Sequence, residues 1–216
     1  MRYTKELLAA VQEHGMLMEV MNRAGALGLG HYYIGAGCIV QTVWNRLTGR
    51  PLAYGIEDVD IVYYDGRDLS YEAEDRVIQA GRQLFEDLPV RLDIKNQARV
   101  HVWYTEKYGI PLAPYTSVED AIDSWPTTAS SLGLRRDSEN KWTLYAPFGL
   151  EDLFHLMVRP NKKLIGEPAL LRLCKEKNAA GTGCSGTKSI VTGIKGSLQQ
   201  ALYEGNSFVQ GLLCSV

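Results

Sequence analysis

The chain has 216 residues, 45% of them apolar and 22% charged, with a formal net charge of −2 and a pI near 6.1. These values fit one sizeable globular domain with or without a small extension, and they exclude a global basic field that would recruit nucleic acid, leaving only a local basic groove open. The four cysteines, Cys38, Cys174, Cys184 and Cys214, have no CxxC spacing and fit neither a zinc site nor a disulfide framework. Residues 1–6 carry charges on both sides of Tyr3 and Thr4 and lead into no long apolar run. Neither a signal peptide nor a membrane anchor is expected, and a reducing, cytoplasmic setting is.

In chain order, Thr4 is placed to cap a first helix with Leu7, Leu8 and Val11 on one face. Helical character resumes over 16–27 and stops at Gly28-Leu29-Gly30. Residues 31–34 read as a short strand, Gly35-Ala36-Gly37 as a small-residue turn, and 38–47 as a helix with Ile39, Val43 and Leu47 on one stripe. Such a strand, turn and helix can bind phosphate, because small residues let backbone N–H groups approach and the helix N-terminus adds partial positive charge. The same glycines also serve tight turns that hold no ligand.

Residues 56–64 read as a strand rich in Val, Ile and Tyr that no Gly or Pro interrupts. Alternation sets Asp58 and Asp60 on one face, one pleat apart. Carboxylates that close repel each other, so the pair belongs in water or around a cation. The strand turns strongly apolar after Asp60, which suggests a Mg²⁺ site at the mouth of a buried sheet; a solvated acidic turn entering the sheet is the simpler alternative.

Asp65-Gly66 ends that strand, and 69–88 read as a long helix with Val77, Leu84 and Leu88 inward, broken by Pro89. Residues 90–94 form a short strand with Asp93 between Leu92 and Ile94. Residues 99–104 alternate like another strand, with Val100 and Val102 on one side. Ser117 is set to cap a helix that runs to Trp125-Pro126, with Asp120 three residues on. Residues 127–134 and 142–145 read as strands joined by a polar turn, and 149–158 as a helix. Residues 179–196, rich in Gly, Ser and Thr, look like a flexible segment, and 197–213 have helical character. The expected division is a domain over 1–161 and a partly flexible extension over 162–216.

Three parts therefore line up: a small-residue turn before a helix, an Asp-x-Asp strand, and a later strand Asp. Two-metal phosphoryl and nucleotidyl transfer uses these parts, with carboxylates holding the ions and one of them accepting the proton of the nucleophile. The pattern resembles the polymerase-β nucleotidyltransferase superfamily and, within it, a bacterial family of unknown biological function. The matching residues are Ala36-Gly37, Val43-Trp44-Asn45, Asp58-Val59-Asp60-Ile61-Val62-Tyr63-Tyr64-Asp65, Lys95-Asn96-Gln97-Ala98-Arg99-Val100-His101, Trp125-Pro126-Thr127-Thr128-Ala129 and Ala146-Pro147-Phe148-Gly149-Leu150-Glu151-Asp152-Leu153-Phe154. Six matches in one order are specific where a lone Asp-x-Asp would not be.

The resemblance implies an α/β nucleotidyltransferase-like fold, a short mixed sheet flanked by helices. It implies Mg²⁺, or Mn²⁺, on Asp58, Asp60 and Asp93, with Asp93 the base. It implies a triphosphate facing Gly35, Ala36 and Gly37, with Lys95, Asn96 and Arg99 in reach of phosphate or acceptor, although each of these three also suits a surface or strand-pairing role. His101 is better suited to packing than to catalysis. The stretch 146–154 suits packing of a helix on the sheet, with Asp152 capping or pairing. The implied reaction moves a nucleoside monophosphate from an NTP to an acceptor hydroxyl, the acceptor being a small molecule or protein rather than a long nucleic acid. A non-catalytic nucleotide- or protein-binding module and a two-metal phosphohydrolase are the alternatives. The chain departs from its relatives in three places. Val40-Gln41 stand where relatives have Arg-Asn, Ala36 offers the phosphate no hydroxyl, and Lys162 onward lacks a Trp-rich closing segment.

Overall fold

The computed structural model describes residues 1–109 and 111–163. The expected flexible segment over 179–196 and helix over 197–213 lie outside the described residues. Among the described residues five strands form one mixed sheet: β1 (Tyr32–Gly35), β2 (Asp58–Tyr63), β3 (Arg91–Asn96), β4 (Gly133–Arg136) and β5 (Trp142–Tyr145), in the order β3-β2-β1-β4-β5. Strands β2 and β3 are parallel, and the other three pairings are antiparallel. Helices α1 (Thr4–Glu13), α2 (Gly15–Arg23), α3 (Gly37–Leu47) and α4 (Tyr71–Leu84) cover one face. A short 3₁₀ turn, Ala24–Leu27, extends α2. The expected α/β fold with a short mixed sheet and flanking helices is the observed one.

The main core is built from period-2 and period-3.6 stripes that meet. Ile34, Val59, Ile61 and Ile94 from the sheet pack with Leu7, Val11, Leu17, Met21, Ile39 and Val43 from the helices. Six large aliphatic side chains of this set are wholly buried, each contributing roughly 1.5–3 kcal/mol relative to exposure. On the opposite face a smaller cluster forms among the described residues. There α6 (Val118–Ile122) and Trp125 pack on Tyr33, Ala36 and Val62.

Several local expectations are corrected by tertiary contacts. Thr4 is inside α1 and does not cap it. Tyr3 holds the capping position, and the Thr4 hydroxyl donates to the Met1 carbonyl at 3.0 Å. Helix α4 is shorter than 69–88. It starts after Ser70, whose Oγ accepts from the Ala73 N–H at 3.2 Å. Residues 99–104 are not a strand but the first half of α5 (Val100–Tyr108). The buried pair there is Val100 and Tyr104, four apart, packed with Tyr115 and Ala121, while Val102 is 58% exposed. A helical period thus prevails over the local alternation.

Residues 127–132 also do not extend β4. Thr127 and Ser130 share a hydroxyl bond of 2.7 Å, and Ser131 Oγ donates to the Thr127 carbonyl at 2.8 Å, so the hydroxyls satisfy a buried turn. The helix expected over 149–158 is a single turn, α7 (Glu151–Phe154). Ser117 caps α6 as expected, accepting from the Asp120 N–H at 3.0 Å. Among the described residues no helix is long and apolar enough to cross a membrane.

Candidate active site

The register of the sheet assembles the site. Asp60 on β2 lies opposite Asp93 on β3, and Gly35 on β1 lies opposite Asp60 from the other side. Gly133 continues the same row on β4, and Tyr145 on β5 closes it. Partners in register point to one face, so Gly35, Asp60 and Asp93 stand side by side at strand spacing of about 4.8 Å. Asp58 is one pleat before Asp60 on that face, opposite Arg91.

Each carboxylate has a different environment. Asp58 is 8% exposed and accepts from Arg91 Nη2 at 2.6 Å. Asp93 faces Lys95 Nζ at 3.0 Å. Asp60 is buried between them, and among the described residues its Oδ2 has no hydrogen-bond partner. Burial pushes the Asp60 carboxyl up to about 8; Asp93 and Asp58 add to the rise, while Lys95 and Arg91 oppose it. A buried oxygen of this kind calls for a proton or a cation. The three carboxylates supply only hard oxygen donors, the donor type that suits Mg²⁺ or Mn²⁺. Among the described residues no group of three or more His, Cys, Asp and Glu side chains is arranged to hold a metal ion. Here the two outer carboxylates are each engaged by a side-chain cation.

The small-residue turn reaches the site but is held by packing. Ala36 has φ 50° and ψ −126°, a left-handed conformation that costs an L-residue on the order of 1–3 kcal/mol and marks a constrained turn. A Cβ on Gly35 would lie 2.6 Å from Trp125 Cη2 and 3.1 Å from the Leu132 carbonyl. Gly35 is therefore required by the indole pressed against it. Gly37 opens α3, which directs that helix's first N–H groups to the end of the sheet that carries Asp60. Cys38 lies in the same turn of α3, fully buried, with its thiol donating to the Gly35 carbonyl at 3.3 Å. Burial, and then the charge of Asp60, push that thiol far up, so it is inert.

Two residues expected near phosphate face elsewhere. Asn96 alternates onto the core side of β3. Its Oδ1 accepts from the Asp65 and Ala98 N–H groups at 3.0 and 3.1 Å, and its Nδ2 donates to the Asp65 carbonyl at 2.8 Å. Arg99 is ion-paired with Glu74 and donates from Nε to the Leu69 carbonyl at 2.9 Å. The Asn96 side chain fastens the end of β3 to the residues after β2, the Arg99 side chain fastens it to the start of α4, and only Lys95 of the three stands at the carboxylates. Other motif residues also serve the scaffold. Trp44 Nε1 donates to the Leu153 carbonyl at 2.8 Å, Asn45 Nδ2 to the Leu52 and Tyr54 carbonyls, and Thr128 Oγ1 to Asp152 Oδ2 at 2.7 Å. His101 lies on α5, away from the sheet register that aligns the aspartates. Arg91 is the site residue that sequence reasoning missed. Its signal was its position two before Asp93, hence on the same face of the strand.

A nucleotidyltransferase family profile matches residues 22–181, most of the chain. The chain belongs to this nucleotidyltransferase family. It is also similar to a protein whose NMR structure reveals a CCA-adding enzyme head domain, at 28% identity and a TM-score of 0.66, over 83% of this chain and 90% of that one. No curated protein matches it. The carboxylate row of this family member thus sits on a nucleotidyltransferase fold, at the end of the sheet where α3 begins.

Proposed function

We propose that the protein transfers a nucleoside monophosphate from an NTP to the hydroxyl of an acceptor, with release of pyrophosphate. The observation that carries this reading is the row Gly35–Asp60–Asp93, with Asp58 one pleat away and an unpartnered buried oxygen on Asp60. Asp58, Asp60 and Asp93 would hold Mg²⁺ or Mn²⁺, which when bound neutralises phosphate charge and lowers the pKa of a coordinated hydroxyl.

The protein's own residues then divide the work by position. The first N–H groups of α3, behind Ala36 and Gly37, face the leaving phosphates. Asp93, steadied by Lys95, accepts the acceptor's proton as the new O–P bond forms at the α-phosphorus. The bond from that phosphorus to the bridging oxygen breaks, and pyrophosphate leaves. In-line displacement sets nucleophile and leaving group on opposite sides of the phosphorus. With phosphates on the β1 side of Asp60, the acceptor approaches from the β3 side. A cavity of about 480 Å³ opens between α4 and the edge strand β3, lined by Ile78, Gly81, Phe85 and Leu92 and reaching Arg91 and Asp93. That volume suits a small organic acceptor.

The test is thermal stability with each NTP, with and without Mg²⁺. A ligand at 100 times its Kd adds about 2.7 kcal/mol, which moves the melting temperature by several degrees. A metal-dependent rise that disappears in Asp93→Asn supports the reading, and labelled NTP then identifies the acceptor. If no NTP shifts the protein under any metal condition, the reading fails and a non-catalytic module on this fold replaces it.

A further inference from the structure

We infer that Arg91 is a displaceable counterion, which holds Asp58 before metal arrives and turns to the anionic nucleotide afterwards. The inference rests on the proposed metal and nucleotide site but concerns a residue that the reading above does not require. Its basis is the pairing Asp58↔Arg91 across β2 and β3, closed by a 2.6 Å contact from Nη2 to Oδ2. The two partners differ sharply in exposure. The Asp58 side chain is 10% exposed, whereas that of Arg91 is 73% exposed. The Arg99–Glu74 pair, by contrast, is buried at both ends, at 11% and 14%. Arg91 instead reaches in from solvent over a long flexible stem and can swing out without opening the core.

Charge and chemistry require it to move. A guanidinium stays protonated at every accessible pH, so it cannot leave Asp58 by losing a proton. It competes directly with any cation for the Asp58 lone pairs. Lys95 does the same for Asp93 but is only 25% exposed and has less freedom to withdraw. The side chain of Arg91 also lines the cavity beside Asp93. Once released, its fork of donors is free to turn across Asp58 toward the nucleotide and is suited to bidentate contact with an anionic oxygen. The exchange keeps Asp58 from standing uncompensated in the empty protein, and couples metal entry to nucleotide capture.

The experiment measures Mn²⁺ binding by the loss of the free-ion EPR signal, and Mn²⁺·NTP binding by calorimetry, in wild type, Arg91→Gln and Arg91→Lys. In Arg91→Gln, Mn²⁺ alone should bind about threefold to fivefold more tightly, the scale set by an exposed ion pair. Its Mn²⁺·NTP complex should bind about fivefold to tenfold more weakly. Arg91→Lys should lie between on both readings. A merely structural Arg91 would weaken both affinities together and lower thermal stability, and that pattern overturns the inference. Equal Mn²⁺ affinity in wild type and Arg91→Gln overturns it as well, with the metal centre left standing. No Mn²⁺ binding by any of the three overturns the inference together with the metal centre.

Discussion

Replacing Asp60 by Asn, in the absence of divalent metal, is expected to flatten the fall of stability with rising pH. Asp60 is buried at the centre of the carboxylate row, and burial moves its carboxyl from 3.8 to about 8. At about 1.36 kcal/mol per decade, that interval corresponds to about 6 kcal/mol, an upper bound because water and backbone relax around a buried charge. Between roughly pH 4 and pH 8 the folded protein holds a proton that the unfolded chain has released. The contribution is fully present below 3.8 and is lost as pH rises through about 8. Wild type should therefore lose up to ~1.4 kcal/mol per pH unit relative to Asp60→Asn across this window. The amide Nδ2 of the variant finds no acceptor and costs ~1–3 kcal/mol at every pH, so the slope is the readout and not the absolute stability. Urea unfolding of both proteins at pH 5, 6, 7 and 8 in EDTA measures it. Parallel lines would refute the electrostatic reasoning. Adding Mg²⁺ at pH 8 should raise the stability of wild type and leave the variant unmoved.

Two further outcomes test the scaffold that holds the row. Gly81→Ala should destabilise by up to ~2 kcal/mol, because the new Cβ would run into Ile94 Cδ1 and the ~1 kcal/mol gained in helix propensity offsets only part of the clash. Gly81→Ala with Ile94→Val removes that methyl and should recover most of the loss by chemical denaturation; no recovery would mean that α4 and β3 cannot be packed as described. Glu74→Ala should cost about 3 kcal/mol, because it leaves the Arg99 guanidinium and the Asn96 N–H without their partner. Its Mn²⁺·NTP affinity, measured by calorimetry well below the melting temperature, should equal that of wild type. Weakened nucleotide binding with unchanged stability would return Arg99 to the phosphate site.

The sequence by itself determined the local pieces. Ser117 followed by Asp120 starts α6 because a hydroxyl accepts an N–H three residues on. The Val, Ile and Tyr of 58–63 make β2, and period 2 sets Asp58 and Asp60 on one face. Those rules act over a few residues, so they are legible in a short window. They also mislead where a distant contact prevails, as at 99–104, where the partners Tyr115 and Ala121 select a helix.

Only the tertiary structure decided which residues share the site. A parallel register between strands some 33 residues apart sets Asp93 beside Asp60 and Arg91 against Asp58. No local preference encodes that register; it follows from how Ile61 and Ile94 bury together against the helices. Shifting β3 by one residue would turn Asp93 into the core and Asn96 toward the carboxylates. The same register explains why Asn96 and Arg99, close to Asp93 along the chain, serve the scaffold. Proximity in sequence left their direction open, and burial of the alternate face of β3 settled it.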